Sequence, residues 1–194
     1  MKLNRKGFTL IELLAVITIL GILMIVGIPA VQRTINNSRK DTFVDTAKEY
    51  ANAVKNAWAA DDIKCKVGAA TEYNSLASSL ADGQYFVYFA TATPADHFNS
   101  LTNDQATNNK DNLLQSGGKS SWGSADVGGY VKVTLLGNTN PTYEVQMIDL
   151  KGHGFEGAKN VDTLERGDVK DNQTYSEPTV AEGIVTGPCK VTSQ

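Results

Sequence analysis

A chain of 194 residues, 41% hydrophobic and 20% charged, holds enough material for one ordinary domain with an appendage and too little for two large ones. Its formal charge of −3 excludes a broadly basic surface of the kind that binds nucleic acid, and no basic cluster stands out in the sequence beyond the N-terminus. The first element is a run of 24 residues from Phe8 to Val31 in which Glu12 is the single charge. As a helix rising ~1.5 Å per residue, such a run is long enough to cross a hydrocarbon core of about 30 Å. Lys2, Arg5 and Lys6 precede it in the manner of a secretory signal, whose apolar region is roughly 7–15 residues long and is followed by a small-residue cleavage site. This run is longer than that and ends in Gly27-Ile28-Pro29, so the segment reads as retained. The basic residues ahead of it favour a cytoplasmic N-terminus with the polar remainder outside, a bias that Arg33, Arg39 and Lys40 on the far side weaken.

A carboxylate inside a membrane helix costs about 3 kcal/mol and calls for a partner. None of Phe8, Thr9, Ile11, Leu13 or Ala15 supplies a positive charge. Either Glu12 reaches the membrane edge, or its partner is created later. The stretch Lys6-Gly7-Phe8-Thr9-Leu10-Ile11-Glu12 resembles the cleavage and assembly signal of type IV prepilins. The resemblance implies that a membrane peptidase cuts between Gly7 and Phe8, that the new amine of Phe8 is methylated, and that Glu12 pairs with the amine of a neighbouring subunit. At 4 Å the attraction is about 4 kcal/mol at an effective dielectric near 20, before desolvation is subtracted. An unpaired charge in a helix bundle costs several times RT, so the pair selects an axial stagger as much as it stabilises one. Gly21, Gly27 and Pro29 also belong to the resemblance. Glycine weakens a helix by about 1 kcal/mol and proline removes a hydrogen bond, so a kink or partial melting between Gly21 and Pro29 is expected, with an intact helix in the bilayer and extension in the filament. The alternative is that the glycines serve close helix packing.

From Gln32 the pattern becomes that of an amphipathic helix. Val44, Ala47, Ala51, Val54 and Trp58 form one stripe, with Asp45, Lys48, Asn52 and Lys55 elsewhere on the wheel, and the helix is expected to end at Asp61-Asp62. Residues 66–127 read as a long connection with short helices at 75–81 and 111–115, a strand at Tyr85–Ala90, and surface loop at 102–110. The spacing predicts strands at Tyr130–Leu136, with Val131, Val133 and Leu135 on one face, and at Tyr143–Asp149, with Tyr143, Val145 and Met147 on one face. Gly137-Asn138-Thr139-Asn140-Pro141 makes them an antiparallel hairpin, and a later strand is expected near Gly183–Thr186. The fold class is therefore α+β: a long N-terminal helix, membrane-spanning in its first half, packed on a small antiparallel sheet, as the pilin resemblance also implies. The corresponding organisation is a leader at 1–7, an apolar helix at 8–31, its amphipathic continuation at 32–62 and a head at 63–194.

Two cysteines occur, Cys65 and Cys189. Outside the reducing cytosol an even pair is expected to bridge, tying the tail to the end of the helix. Pilins commonly carry a disulfide between two nearby late cysteines, and this chain departs from that arrangement. No catalytic or metal-binding pattern is found. Gly117-Gly118-Lys119-Ser120 lacks the earlier glycine of a phosphate loop, since Leu113 stands there. His97 and His153 lack zinc spacing and read as ordinary surface histidines. Asp61, Asp62, Asp104, Asp111, Glu165 and Asp168 read as a solvated face. No metal, cofactor or enzyme activity is expected.

By this reading the chain is a structural subunit of a surface filament. The resemblance implies identical subunits, a prepilin peptidase, an assembly ATPase, a membrane platform protein and, before assembly, membrane lipid as partners. No nucleic-acid binding by the single subunit is expected, because removing Lys2, Arg5 and Lys6 takes the formal charge from −3 to −6. The rival readings are a pseudopilin of a type II secretion or DNA-uptake system, and a single-pass membrane protein with an extracellular binding domain.

Overall fold

In the computed structural model one helix, α1 (Leu10–Ala59), precedes nine strands among the described residues. The structure describes residues 9–66, 72–75, 82–90, 113, 120–123, 127–137, 140–176, 178 and 185–192. The chain divides into two compact units, Met1–Arg39 and Lys40–Gln194, so α1 contributes to both.

In the first unit α1 runs without interruption through Gly21, Gly27 and Pro29. Pro29 has no N–H to give the carbonyl one turn back. Two hydroxyls in this half of the helix satisfy themselves on its own backbone: Thr18 donates to the Ala15 carbonyl at 2.8 Å and Thr34 to that of Ala30 at 3.1 Å. That arrangement lets a hydroxyl sit on an apolar helix without an unmet donor.

In the second unit α1 buries Phe43, Val44, Ala47, Tyr50, Ala51 and Val54, at three- and four-residue spacing. The expected stripe is present, and Phe43 and Tyr50 widen it; Trp58 is half-buried at its end. Ala47 and Ala51 bring the helix close to the sheet, and aromatic rings fill the space on either side. Tyr50 stacks on Phe89 at 3.9 Å, Phe43 meets Phe155 edge-on at 5.4 Å, and Trp58 tilts against Tyr85 at 5.9 Å. Each such buried ring is worth about 2 kcal/mol in transfer alone. The helix stops through its own backbone. Asp61 takes φ 59°, its N–H donates to the Trp58 carbonyl at 3.2 Å, and the Asp62 N–H donates to that of Ala57 at 2.9 Å. This is a Schellman close, with aspartate where glycine is usual.

The strands are β1 (Ile63–Cys65), β2 (Asn74–Ser75), β3 (Gly83–Ala90), β4 (Val127–Leu135), β5 (Thr142–Asp149), β6 (Gly154–Phe155), β7 (Lys159–Asn160), β8 (Val169–Lys170) and β9 (Val185–Val191). They form one sheet in the order β2-β1-β9-β3-β4-β5-β6-β8, with β7 beside β5. The hairpin is the one expected. β4 and β5 pair antiparallel, with Val131 opposite Val145 and Val133 opposite Tyr143. Val131, Val133, Val145 and Met147 join the core, with Leu135 and Tyr143 packed at its margin. The strand expected at Tyr85–Ala90 is β3, begun two residues earlier.

Three expectations need correction. Ser75 lies in β2 rather than in a short helix; the remainder of that segment, most of 111–115 and the loop at 102–110 lie outside the described residues. The late strand expected near Gly183–Thr186 is present at Val185–Val191 and runs further toward the C-terminus, residues 183–184 lying outside the described residues; it is central, paired antiparallel with β1 and parallel with β3, so the sheet is not purely antiparallel. Gly187 and Pro188 hide it from a sequence reading, because both residues argue against an interior strand. His153 is not an ordinary surface histidine: its ring stacks on Trp122 at 4.2 Å and its Nδ1 lies 2.8 Å from Asp149 Oδ2. Asp149 is buried, and Ser120 Oγ at 2.6 Å and the backbone N–H groups of Lys151 and His153, each at 2.8 Å, also donate to it. A buried carboxylate met by this many donors fastens the Ser120–Gly123 segment to the end of β5. The aspartates read as a solvated face also have local work. Asp61 closes α1, and Asp168 Oδ2 accepts from the Glu165 N–H at 2.9 Å.

Gly129 and Gly154 are required by close approach to the backbone of β5, Gly129 the more tightly. A Cβ on Gly129 in β4 would lie 1.9 Å from the Gln146 carbonyl oxygen of β5. Gly129→Ala therefore forces the central pair of the hairpin apart. We expect a loss of about 3 kcal/mol, as for overpacked cores, read as a lowered thermal midpoint in circular dichroism; an unchanged midpoint would contradict this register.

Candidate assembly site

Glu12 stands in the first turn of α1, and it has partners that the sequence reading did not find. Its Oε2 accepts from the Thr9 backbone N–H at 2.8 Å and from the Thr9 hydroxyl at 2.9 Å, while the Glu12 N–H faces Thr9 Oγ1 at 3.4 Å. Thr9 is the N-cap and Glu12 the third helical residue, so Thr9-Leu10-Ile11-Glu12 is a capping box. The T-x-x-E spacing is the sequence signal of this box. The box serves two ends. It satisfies backbone donors that would be orphaned at the start of the helix, and it holds a carboxylate where the helix dipole favours negative charge. Both side-chain bonds land on Oε2. Gly7 and Phe8 lie outside the described residues.

Behind this charge the helix presents apolar side chains on every side. Leu10, Ile11, Leu13, Leu14, Val16, Ile17, and their successors to Val31 are all exposed, with Leu10 at 82% and Ile25 at 75% of full accessibility. Length and composition make α1 a helix able to cross a membrane. A helix that is apolar all round is stable in lipid or among other helices and not in water. Leu20, Leu23, Met24, Gly27, Ile28 and Val31 border an open groove on one flank, where the absent side chain of Gly27 leaves room for another helix. Gly21, Gly27 and Pro29 are thus on the same exposed segment as Glu12, while Cys65 and Cys189 belong to the second unit. These two cysteines are directly paired residues of β1 and β9 and form a disulfide.

The chemistry available here is that of a fixed anion at the head of an apolar rod. It can bind a cation and it can pack, and both actions need other molecules. Among the described residues no group of histidine, cysteine and carboxylate side chains is placed to hold a metal.

Comparison with known proteins agrees in kind. Residues 2–28 match a family described as the prokaryotic N-terminal methylation motif. Fimbrial protein Q of Moraxella bovis is 30% identical over 154 residues, which cover 74% of this chain and 94% of that protein. No solved structure matches the chain.

Proposed function

The chain belongs to the type IV pilin family, and from that premise we propose that it is cut between Gly7 and Phe8 and polymerises through α1 into a surface filament. The family is structural, so the chain is a fimbrial subunit and not an enzyme. Its apolar helix suits a membrane before assembly and a filament core after it. The observation that carries the proposal is the Thr9–Glu12 capping box, which fixes an anion at the start of an otherwise apolar and exposed helix.

Cleavage before Phe8 leaves Thr9 as the second residue, so the capping box survives processing. It also creates an α-amine about one turn from Glu12. Within one chain the carboxylate is held by Thr9; between staggered chains it is positioned to receive a neighbour's methylated amine. Each charge would otherwise be stranded in the bundle, and for that reason the pair fixes the stagger. The single subunit sits in the cytoplasmic membrane with its basic leader inside, where the prepilin peptidase, the platform protein and the assembly ATPase act on it. In the polymer the missing proline donor and the two glycines make Gly21–Pro29 the segment where α1 extends.

Intact-mass and N-terminal analysis of protein sheared from the cell surface tests this reading. The expected product begins at methylated Phe8. A chain starting at Met1 and confined to the membrane would overturn it in favour of an uncut single-pass protein.

A further inference from the structure

The charges of the head are sorted by the edges of its sheet. At the β2-β1-β9 end, Lys64 and Lys190 stand directly opposite one another across an antiparallel pair. Their sequence neighbours Ile63, Cys65, Cys189 and Val191 are buried, so both lysines lie on the face away from the core. Lys66 and Lys190 each hold their ammonium 4.7 Å from the centre of the Tyr73 ring. Among the described residues no carboxylate pairs with any of the three lysines. Like charges opposed across a sheet are destabilising, and this pair is locked in place by the Cys65–Cys189 disulfide beside it. The Tyr73 ring offsets part of that repulsion, and among the described residues no carboxylate does. The cluster has no local signature in the sequence, because Cys65 and Cys189, beside which it is built, are 124 residues apart.

The β6-β8 end has the opposite sign. From Glu156 to Asp171 there are five carboxylates and three cations. One of those cations, Arg166, is held by Asp41 through two hydrogen bonds of 2.6 Å, and chiefly through that bonding its guanidinium stays above its ordinary value. Lys159 and Lys170 lie within the segment and Lys55 of α1 borders the same pocket as Asp162, while Asp162 and Glu165 are exposed. These two ends terminate the same sheet.

A filament that does not close needs a heterologous contact, one patch of a subunit against a different patch of the next. A polymer of processed chains, each of formal charge −6, also needs opposite patches to meet, since like faces repel. We propose that Lys64, Lys66 and Lys190 of one copy dock against the Asp162–Glu165 ridge of a neighbouring copy, so that the two edges of the head sheet form a charge-complementary contact in the filament. This inference rests on the reading of the chain as a filament subunit.

Full-length chains carrying K64E/K190E, D162K/E165K or all four changes test it, by measuring pilin in the sheared surface fraction and in the membrane pool. Each double variant is expected to lower the sheared fraction at least tenfold at an unchanged membrane pool, and the fourfold variant to restore it to half of wild type or more. Normal filaments from either double variant, or no restoration in the fourfold variant, would overturn the contact. If the lysine variant fails to accumulate in the membrane, the exposed D162K/E165K pair decides the matter alone: its sheared fraction must fall tenfold. Absence of the unaltered chain from the sheared fraction would instead strike at the filament reading itself.

Discussion

Glu12→Gln is expected to abolish filaments while the head stays folded and the membrane pool is retained. The glutamine keeps an oxygen that can accept from the Thr9 N–H and hydroxyl, so the helix start changes little. It removes the charge on which the proposed choice of one stagger between helices depends. An interaction of about 4 kcal/mol at 4 Å, less its desolvation, corresponds to a loss of assembled protein of tenfold or more. Thr9→Ala supplies the contrast. It takes away the cap hydroxyl at a cost of about 1 kcal/mol and leaves the carboxylate, so filaments should persist at reduced yield. Electron microscopy of sheared material, together with blotting of the membrane fraction, reads both variants. Ordinary filaments from Glu12→Gln would show that the carboxylate acts only as a helix cap.

Removing the disulfide, by Cys65→Ala with Cys189→Ala, is expected to have the largest effect on the head. The bridge spans a sequence separation of 124 residues. On the chain-entropy account, closing a loop of that size restricts the unfolded chain by about 5 kcal/mol. For a chain of this length, about 5 kcal/mol translates to a fall of roughly 10–15 °C in thermal midpoint. The sulfurs are also core atoms, both cysteines being fully buried beside Ile63 and Val87, so alanine adds a packing deficit. The damage should be local at first. β1 is three residues long and β2 two, and without the bridge β9 loses its covalent hold on the helix end. Thermal denaturation with and without reductant measures this, and an unchanged midpoint would mean that strand pairing alone holds the tail.

The same bridge is the structural basis of the lysine cluster, because Lys64 and Lys190 flank the paired cysteines. Loss of the disulfide is therefore expected to loosen the charged edge along with the strands.

The amino-acid sequence by itself determined the long helix, its apolar first half, its buried stripe and the β4–β5 hairpin. Each of these is a local pattern: Val44, Ala47, Ala51 and Val54 repeat with the helical period, and Val131, Val133, Val145 and Met147 repeat with the strand period. The capping box is equally local, since Thr9 and Glu12 are three residues apart. Only the tertiary structure decided the rest. β9 becomes central, despite Gly187 and Pro188, because β1, β3 and the disulfide hold it there. His153 becomes half-buried because Trp122 and Asp149 close on it from separate segments. The lysine edge exists because strands far apart in the chain are brought side by side, and its acidic counterpart faces outward at the other end of the same sheet. Short-range periodicity can specify an element, but the neighbours of an element are chosen by burial and pairing across the whole chain.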